Sequence, residues 1–265
     1  MKPIRVLRFG GSESLTDLIA SLKEAGVDNI KKLNISGSTY RGMPGHFIFN
    51  WGSSSRRALS PEAIIFNSPE AVALATNKLH TFNKLKENGL SEHIPQYTTD
   101  MSVAKEYAFN GTVVYCRISL TGSQGSGILV AHNADEVVPA PLYTMQVPCR
   151  REVRIHVFAG NVISFAQKKR MGSERREEEG IESSNSEVRN LGNGWVFAQH
   201  GVTIPEDAQT VAINAISALG LDFGACDVLL SYGKPIVLEI NTAPGLEGST
   251  LIAYRDAILE AARDI

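Results

Sequence analysis

Two short apolar runs flank Tyr232-Gly233-Lys234, a polar turn of hairpin length, and this pattern predicts a β-hairpin over residues 225–241. With the turn centred on Gly233, Asp227 lies across from Glu239, and the period of two puts Asn241 on the same face. Val228, Leu230, Ile236, Leu238 and Ile240 take the opposite face, which can anchor the hairpin on a core. At the start of the chain, Ile4 to Phe9 reads as a buried strand. Gly10-Gly11-Ser12 follows, then a helix from about Ser14 to Ala25 with Leu15, Leu18, Ile19 and Leu22 on one side. The two glycines lack GxGxxG spacing and read as a plain turn. A second strand, Phe47 to Trp51, runs into Gly52-Ser53-Ser54-Ser55-Arg56-Arg57, a polar loop that either meets a ligand or is a solvated connection.

Further along, Asn67-Ser68-Pro69-Glu70 is a capped helix start, and Asn77-Lys78-Leu79 opens a helix that stops at Asn88-Gly89. Residues 113–130 read as strand, glycine-rich loop, strand; Gly122, Gly125 and Gly127 let backbone N–H groups approach a phosphate without Cβ obstruction. No Lys-Ser pair follows the glycines, so this is not the usual NTPase P-loop. Residues 150–158 and 162–168 form two strands about Ala159-Gly160-Asn161, with Glu152, Arg154, His156 and Phe158 sharing a face. Residues 171–187 offer almost nothing to bury and are expected to be mobile. Pro205 to Leu219 is an amphipathic core helix that stops at Gly220.

Composition narrows the class. At 265 residues with 43% hydrophobic content, the chain can bury a full core. A formal net charge of -2 argues against a general nucleic-acid or membrane-surface binder. The cysteines, Cys116, Cys149 and Cys226, show no CxxC pair, so neither a disulfide framework nor a zinc site is expected and a reducing cytoplasm fits. Met1 to Arg5 leads into a strand rather than a signal peptide, and no apolar run is long enough for a bilayer. The histidines have no HxxxH or HExxH spacing, and His156 and His200 read as packing or hydrogen-bonding residues.

Two carboxylates and an amide oxygen on one hairpin face repel unless a cation lies between them. Their hard oxygens suit Mg²⁺ or Mn²⁺, and so few protein ligands leave positions for water and substrate phosphates. The alternative is an ordinary hairpin with a solvated polar face.

Asp227 followed by Val237-Leu-Glu-Ile-Asn-Thr-Ala-Pro-Gly-Leu-Glu-Gly248 resembles the metal-binding end of ATP-grasp ligases, in particular carboxylate-amine ligases of the ribosomal-protein glutamyl ligase type. The resemblance covers roughly residues 76–250. It implies an α/β (α+β) ATP-grasp fold, with two α+β subdomains sandwiching ATP over residues 76–265, preceded by a small α/β N-terminal domain over residues 1–75. It implies ATP and two Mg²⁺ (or Mn²⁺) ions as cofactors, the metals on Asp227, Glu239 and Asn241. Ser249 or Thr250 would cap the helix that follows. Lys78, Arg117, Gly122, Ser123, Gly125, Gly127 and Lys168 would contact the nucleotide, and the backbone of Leu142-Tyr143-Thr144-Met145 would hold the adenine edge. Many relatives have Lys where this chain has Arg117, which keeps the charge and adds a planar fork. Arg154, Arg189 and Asn190 would stabilise the reacting phosphate or orient the acceptor. Lys168-Lys169-Arg170 could otherwise be a solubilising strand end.

The implied reaction is phosphorylation of a substrate carboxylate by MgATP to an acyl phosphate, then attack by an amine to give an amide, ADP and phosphate. The expected partners are a small-molecule, peptide or protein carboxylate and an amine acceptor such as an amino acid. Neither nucleic acid nor membrane is expected, and a homo-oligomer would suit the resemblance. The alternatives are an ATP-grasp kinase acting on a hydroxyl and a non-catalytic ATP-binding module.

Overall fold

The computed structural model describes residues 3–33, 39–55, 59, 62–121, 127–181 and 187–264. It begins with a parallel sheet in the order β2 (Ile30–Lys32), β1 (Ile4–Arg8), β3 (Phe47–Trp51), β4 (Ile64–Phe66). Helix α1 (Glu13–Glu24) starts where the Ser12 hydroxyl accepts from the Leu15 N–H at 3.2 Å, and it buries Leu15, Leu18 and Leu22. β3 is buried along its whole length, Asn50 included, as a parallel strand covered on both faces is. Ser68 and Pro69 open α2 (Pro69–Thr76), and the Asn77 side chain caps α3 (Lys78–Glu87), as their sequences predict.

The second sheet is antiparallel, in the order β5 (Tyr97–Thr98), β8 (Leu142–Met145), β6 (Val114–Arg117), β7 (Ile128–Ala131). Helix α4 (Met101–Phe109) packs Ala104 and Ala108 against Val114, Cys116 and Tyr143 of this sheet. The third sheet is also antiparallel, in the order β11 (Trp195–Ala198), β10 (Asn161–Arg170), β9 (Arg151–Phe158), β12 (Phe223–Ser231), β13 (Lys234–Asn241). Between β10 and β11, where the sequence predicts only mobile chain, α5 (Ser173–Glu178) forms one short helix and Met171 is buried. Residues 182–186 of that stretch lie outside the described residues. Helix α6 (Glu206–Ala218) lays Ala208, Val211, Ala212, Ala215 and Ile216 under β9, β12 and β13. The same cluster takes in Ala71, Val72 and Ala75 of α2, the helix that a boundary between residues 75 and 76 divides. Helix α7 (Ser249–Asp264) closes the chain. Among the described residues no helix is long and apolar enough to cross a membrane.

The β12–β13 hairpin reaches the expected pairing by an unexpected route. Its turn has two residues, Tyr232 and Gly233, both with left-handed φ (46° and 82°), between the paired Ser231 and Lys234. That turn alone would leave Asp227 out of register with Glu239. A bulge between Asp227 and Val228 adds one residue on β13, Leu238, and restores Asp227 opposite Glu239. Leu238 therefore lines the open side of the sheet instead of joining Val228, Val237 and Ile240 in the core.

Aromatic rings join the parallel sheet to the third sheet and to α7. Phe49 stacks on Phe223 with centroids 4.4 Å apart, Phe66 stacks on Phe158 at 5.6 Å, and Trp51 meets Tyr254 edge-on at 5.7 Å. Beside them Asn67, fully buried and at φ 62°, clasps the start of β12. Its Oδ1 accepts from the N–H groups of Asp222 (2.8 Å) and Phe223 (3.2 Å), its Nδ2 donates to the Phe223 carbonyl (2.9 Å), and its own N–H donates to Asp222 Oδ2 (2.6 Å). Asn tolerates left-handed backbone far better than Ala. Asn67→Ala should therefore cost about 3 kcal/mol in chemical denaturation, from unpaired buried backbone groups and backbone strain. Asn67→Gly should cost less, because it relieves the strain; equal losses would show that the backbone conformation is not stressed.

Candidate active site

The open face of the third sheet forms the floor of a cleft of about 1610 Å³. That exceeds the ~300–1,000 Å³ of most small-molecule pockets and leaves room for a nucleotide with a second substrate. Strand register sets the floor out in rungs. One runs Ala166, Arg154, Asp227, Glu239 across β10, β9, β12 and β13, and the next runs Ser164, His156, Ala225, Asn241. The small Ala166 lines the cleft beside the long side chain of Arg154.

Arg154 grips Asp227 with both prongs, Nε to Oδ1 at 2.7 Å and Nη2 to Oδ2 at 2.8 Å, while its guanidinium lies 4.2 Å over the Phe197 ring. Burial pushes the Asp227 carboxyl up, but the adjacent guanidinium more than reverses this and the group stays below its ordinary value. Asn241 Nδ2 approaches Asp227 Oδ2 at 3.5 Å, and Lys78 Nζ lies 3.6 Å from Glu239 Oε2. The structure thus brings together the three metal candidates, Arg154 and Lys78, although they are scattered in sequence.

Lys168 donates to the buried Glu152 at 2.5 Å and sits 5.1 Å from the Phe197 centroid; Arg189 Nη1 is 3.7 Å from the same carboxylate. Burial raises the Glu152 carboxyl above its ordinary value, with Lys168 opposing. Arg189 also stacks on Trp195 at 4.9 Å and donates to the Cys149 carbonyl at 3.4 Å. Asn190 lines the cleft, but its Oδ1 accepts from the Asn193 N–H at 2.8 Å and so shapes the turn before β11.

Arg117 is buried in the cleft wall with Nε donating to Thr144 Oγ1 at 3.2 Å; burial lowers its pKa and Glu239 opposes. Thr144 and Met145 line the cleft, whereas Tyr143 does not. Its ring packs with Ala104 and Val114, its hydroxyl donates to the Val138 carbonyl and accepts from the Ala140 N–H, and its backbone pairs with β5 and β6. The cleft is lined instead by the next residues, Gln146, Val147 and Pro148. Gly122, Ser123 and Gly125 lie outside the described residues. Gly127 is described at φ 72°, at the base of the β6–β7 loop.

Several site residues carry no local signal. Alternation already puts Glu152 on the face of Arg154 but gives it no role, Thr250 is marked only as a helix cap, and nothing local marks Gln199, since only the tertiary fold joins the last two. Gln199 donates from Nε2 to Thr250 Oγ1, and its Oε1 accepts from Ser249 Oγ at 2.7 Å. The two hydroxyls expected to cap α7 are thereby turned towards Gln199. His156 lines the cleft with its Nδ1 3.3 Å from the Tyr254 hydroxyl, and burial followed by Arg154 lowers its pKa to about 3.

The donor set fits a hard divalent ion. Among the described residues no three His, Cys, Asp or Glu side chains converge on a metal site. An ion here would take the carboxylates of Asp227 and Glu239 and the amide oxygen of Asn241, and complete its shell with water and phosphate, as Mg²⁺ does.

No family model matches the chain. A protein of Sodalis glossinidius named "Probable alpha-L-glutamate ligase" is 28% identical over 200 residues, covering 69% of this chain and 61% of that relative. The chain thus spans about three-fifths of the length of such curated relatives. Among solved structures, D-alanine–D-alanine ligase from Bacillus anthracis matches with a TM-score of 0.66 at 12% identity, over 100% of this chain and 98% of that one. The ATP-grasp ligase PsnB, complexed with a phosphomimetic precursor variant, Mg and ADP, matches with a TM-score of 0.67 at 14% identity, over 98% of each chain. The chain has the ATP-grasp fold and is related in sequence to the proteins named alpha-L-glutamate ligases.

Proposed function

We propose that the chain is an ATP-dependent carboxylate-amine ligase that forms an amide through an acyl phosphate. The observation that carries this reading is the rung Arg154–Asp227–Glu239, with Asn241 on the next rung and Lys78 beside Glu239. Asp227, Glu239 and Asn241 would hold two Mg²⁺ ions, whose charge would offset that of the terminal phosphates. Lys78 and Arg117 hold the triphosphate, together with the β6–β7 glycine loop. Thr144, Met145 and the stretch to Pro148 receive the base, and Lys168 bounds it from the sheet. Arg154 steadies the γ-phosphoryl group as a carboxylate oxygen attacks phosphorus and ADP departs. Arg189 and Asn190 orient the amine, whose nitrogen then attacks the acyl carbon, expelling phosphate and losing a proton. The names of the relatives point to glutamate as the first amine to try, and the complex of PsnB with a precursor peptide points to a peptide or protein carboxylate. The parallel sheet, within residues 1 to about 75, would help to hold the acceptor.

The test is ADP release from MgATP with glutamate and a panel of peptides, read alongside mass spectrometry for a new amide. Sustained ADP release should require both a carboxylic acid and an amine, the acid alone giving at most about one equivalent as the acyl phosphate forms. ADP formation with an alcohol alone, or none under any combination, would overturn the ligase reading.

A further inference from the structure

We propose that Arg154 and Lys78 are resident counter-cations of the metal-holding carboxylates, so that a divalent ion and a nucleoside triphosphate load together, by exchange of ionic partners. This rests on Asp227, Glu239 and Asn241 being the metal ligands. Both oxygens of Asp227 are taken by the Arg154 fork, at 2.7 and 2.8 Å, and its side chain is only 8% exposed. Glu239 faces Lys78 at 3.6 Å. Asn241 Nδ2 reaches Asp227 Oδ2 at 3.5 Å, a further donor on that carboxylate. The trio is therefore neutralised and hydrogen-bonded from within the protein.

An ion arriving alone would have to displace Arg154 and strand a guanidinium whose side chain is only 18% exposed. A triphosphate arriving alone would draw Arg154 and Lys78 away and strand Asp227. Each stranded charge is costly, because removing one partner of a buried pair leaves the other uncompensated. When both arrive, the carboxylates pass to the ion, the two cations pass to the phosphates, and no buried charge is left over. Phe197 suits this role for Arg154, since the ring face supports the guanidinium at 4.2 Å without holding it by hydrogen bonds. The expected result is a coupling free energy between the ion and nucleotide sites that resides in these two cations.

Mn²⁺ binding followed by electron paramagnetic resonance, without nucleotide, tests the exchange. Arg154→Gln and Lys78→Met should each bind Mn²⁺ more tightly than the parent chain by about fivefold or more, the lower end of ordinary site-to-site coupling. Lys168→Met, which removes a nearby cation paired instead with Glu152, should gain less and serves as the control for general electrostatics. In the opposite direction, Glu239→Gln should bind AMP-PNP in the presence of EDTA more tightly than the parent, because the negative charge that faces Lys78 is gone. Lys78 reaches the more open of the two carboxylates, so its variant keeps the test available should Arg154→Gln fail to fold. Gains absent in the folded variants, or matched by Lys168→Met, overturn the exchange. A parent chain showing no protein-bound Mn²⁺ even with AMP-PNP overturns the metal assignment itself.

Discussion

Replacing Glu239 by Gln is expected to lower kcat for MgATP-dependent amide formation by about 10²–10³-fold, the usual loss when one preorganised electrostatic contact to the transition state is removed. The substitution keeps the shape and one oxygen, but deletes the charge that faces both Lys78 and the proposed ion. Glu239 sits at the rim of the charged rung with its side chain 28% exposed, so folding stability should change by less than ~1 kcal/mol. The two readouts separate chemistry from folding: single-turnover ADP formation should collapse while the thermal midpoint stays close to that of the parent. If the variant turns over like the parent, Glu239 is not a ligand of the reacting centre.

The chain should also lose stability steeply in mild acid through His156. In the fold its pKa is lowered from 6.5 to about 3 by burial and then by Arg154, with Asp227 opposing. The unfolded chain therefore binds a proton below pH 6.5 that the folded chain refuses until about pH 3. The contribution is fully present above pH 6.5 and drains away at ~1.4 kcal/mol per unit as the pH falls, approaching ~5 kcal/mol. A typical domain has only ~5–15 kcal/mol in total, so this one ring can set the acid limit of the fold. Glu152 works in the opposite sense, since its raised carboxyl favours the folded state at low pH. Urea midpoints of the parent and His156→Gln, measured between about pH 6.5 and 5, share that term, and their difference isolates the histidine. The variant's profile should be flatter; parallel profiles would mean that His156 titrates normally in the fold.

The hairpin and its trio were legible because alternation is a local property, and the Asp227–Glu239 pairing holds. The means were not legible: a two-residue turn and a bulge at Leu238 together give the register that a turn centred on Gly233 would give. Helix starts at Ser68-Pro69 and Asn77 were readable, since a cap is a contact between residues three apart. Alternation places Glu152, Arg154 and His156 on one face, but it cannot say that Arg154 is committed to Asp227 or Lys78 to Glu239. Those pairs join distant strands and helices, and only packing decides them. Tyr143 shows the converse limit. The resemblance marks the segment Leu142 to Met145, but nothing local says where backbone pairing to β5 and β6 ends and the cleft begins. Met171 and α5 show that a polar, charged stretch can still fold when its start is held by a neighbour, here through the Met171 N–H to the Gly194 carbonyl at 2.8 Å.

The ring stack between β3, β4, β9, β12 and α7 bears on how the chain could be re-engineered. Cutting it after β4 to isolate a minimal catalytic fragment would bare Phe158, Phe223 and Tyr254 to water. Grafting a foreign N-terminal segment would require matching surfaces on all three. Changes of substrate range are better sought in the loops around the cleft than by shuffling whole modules.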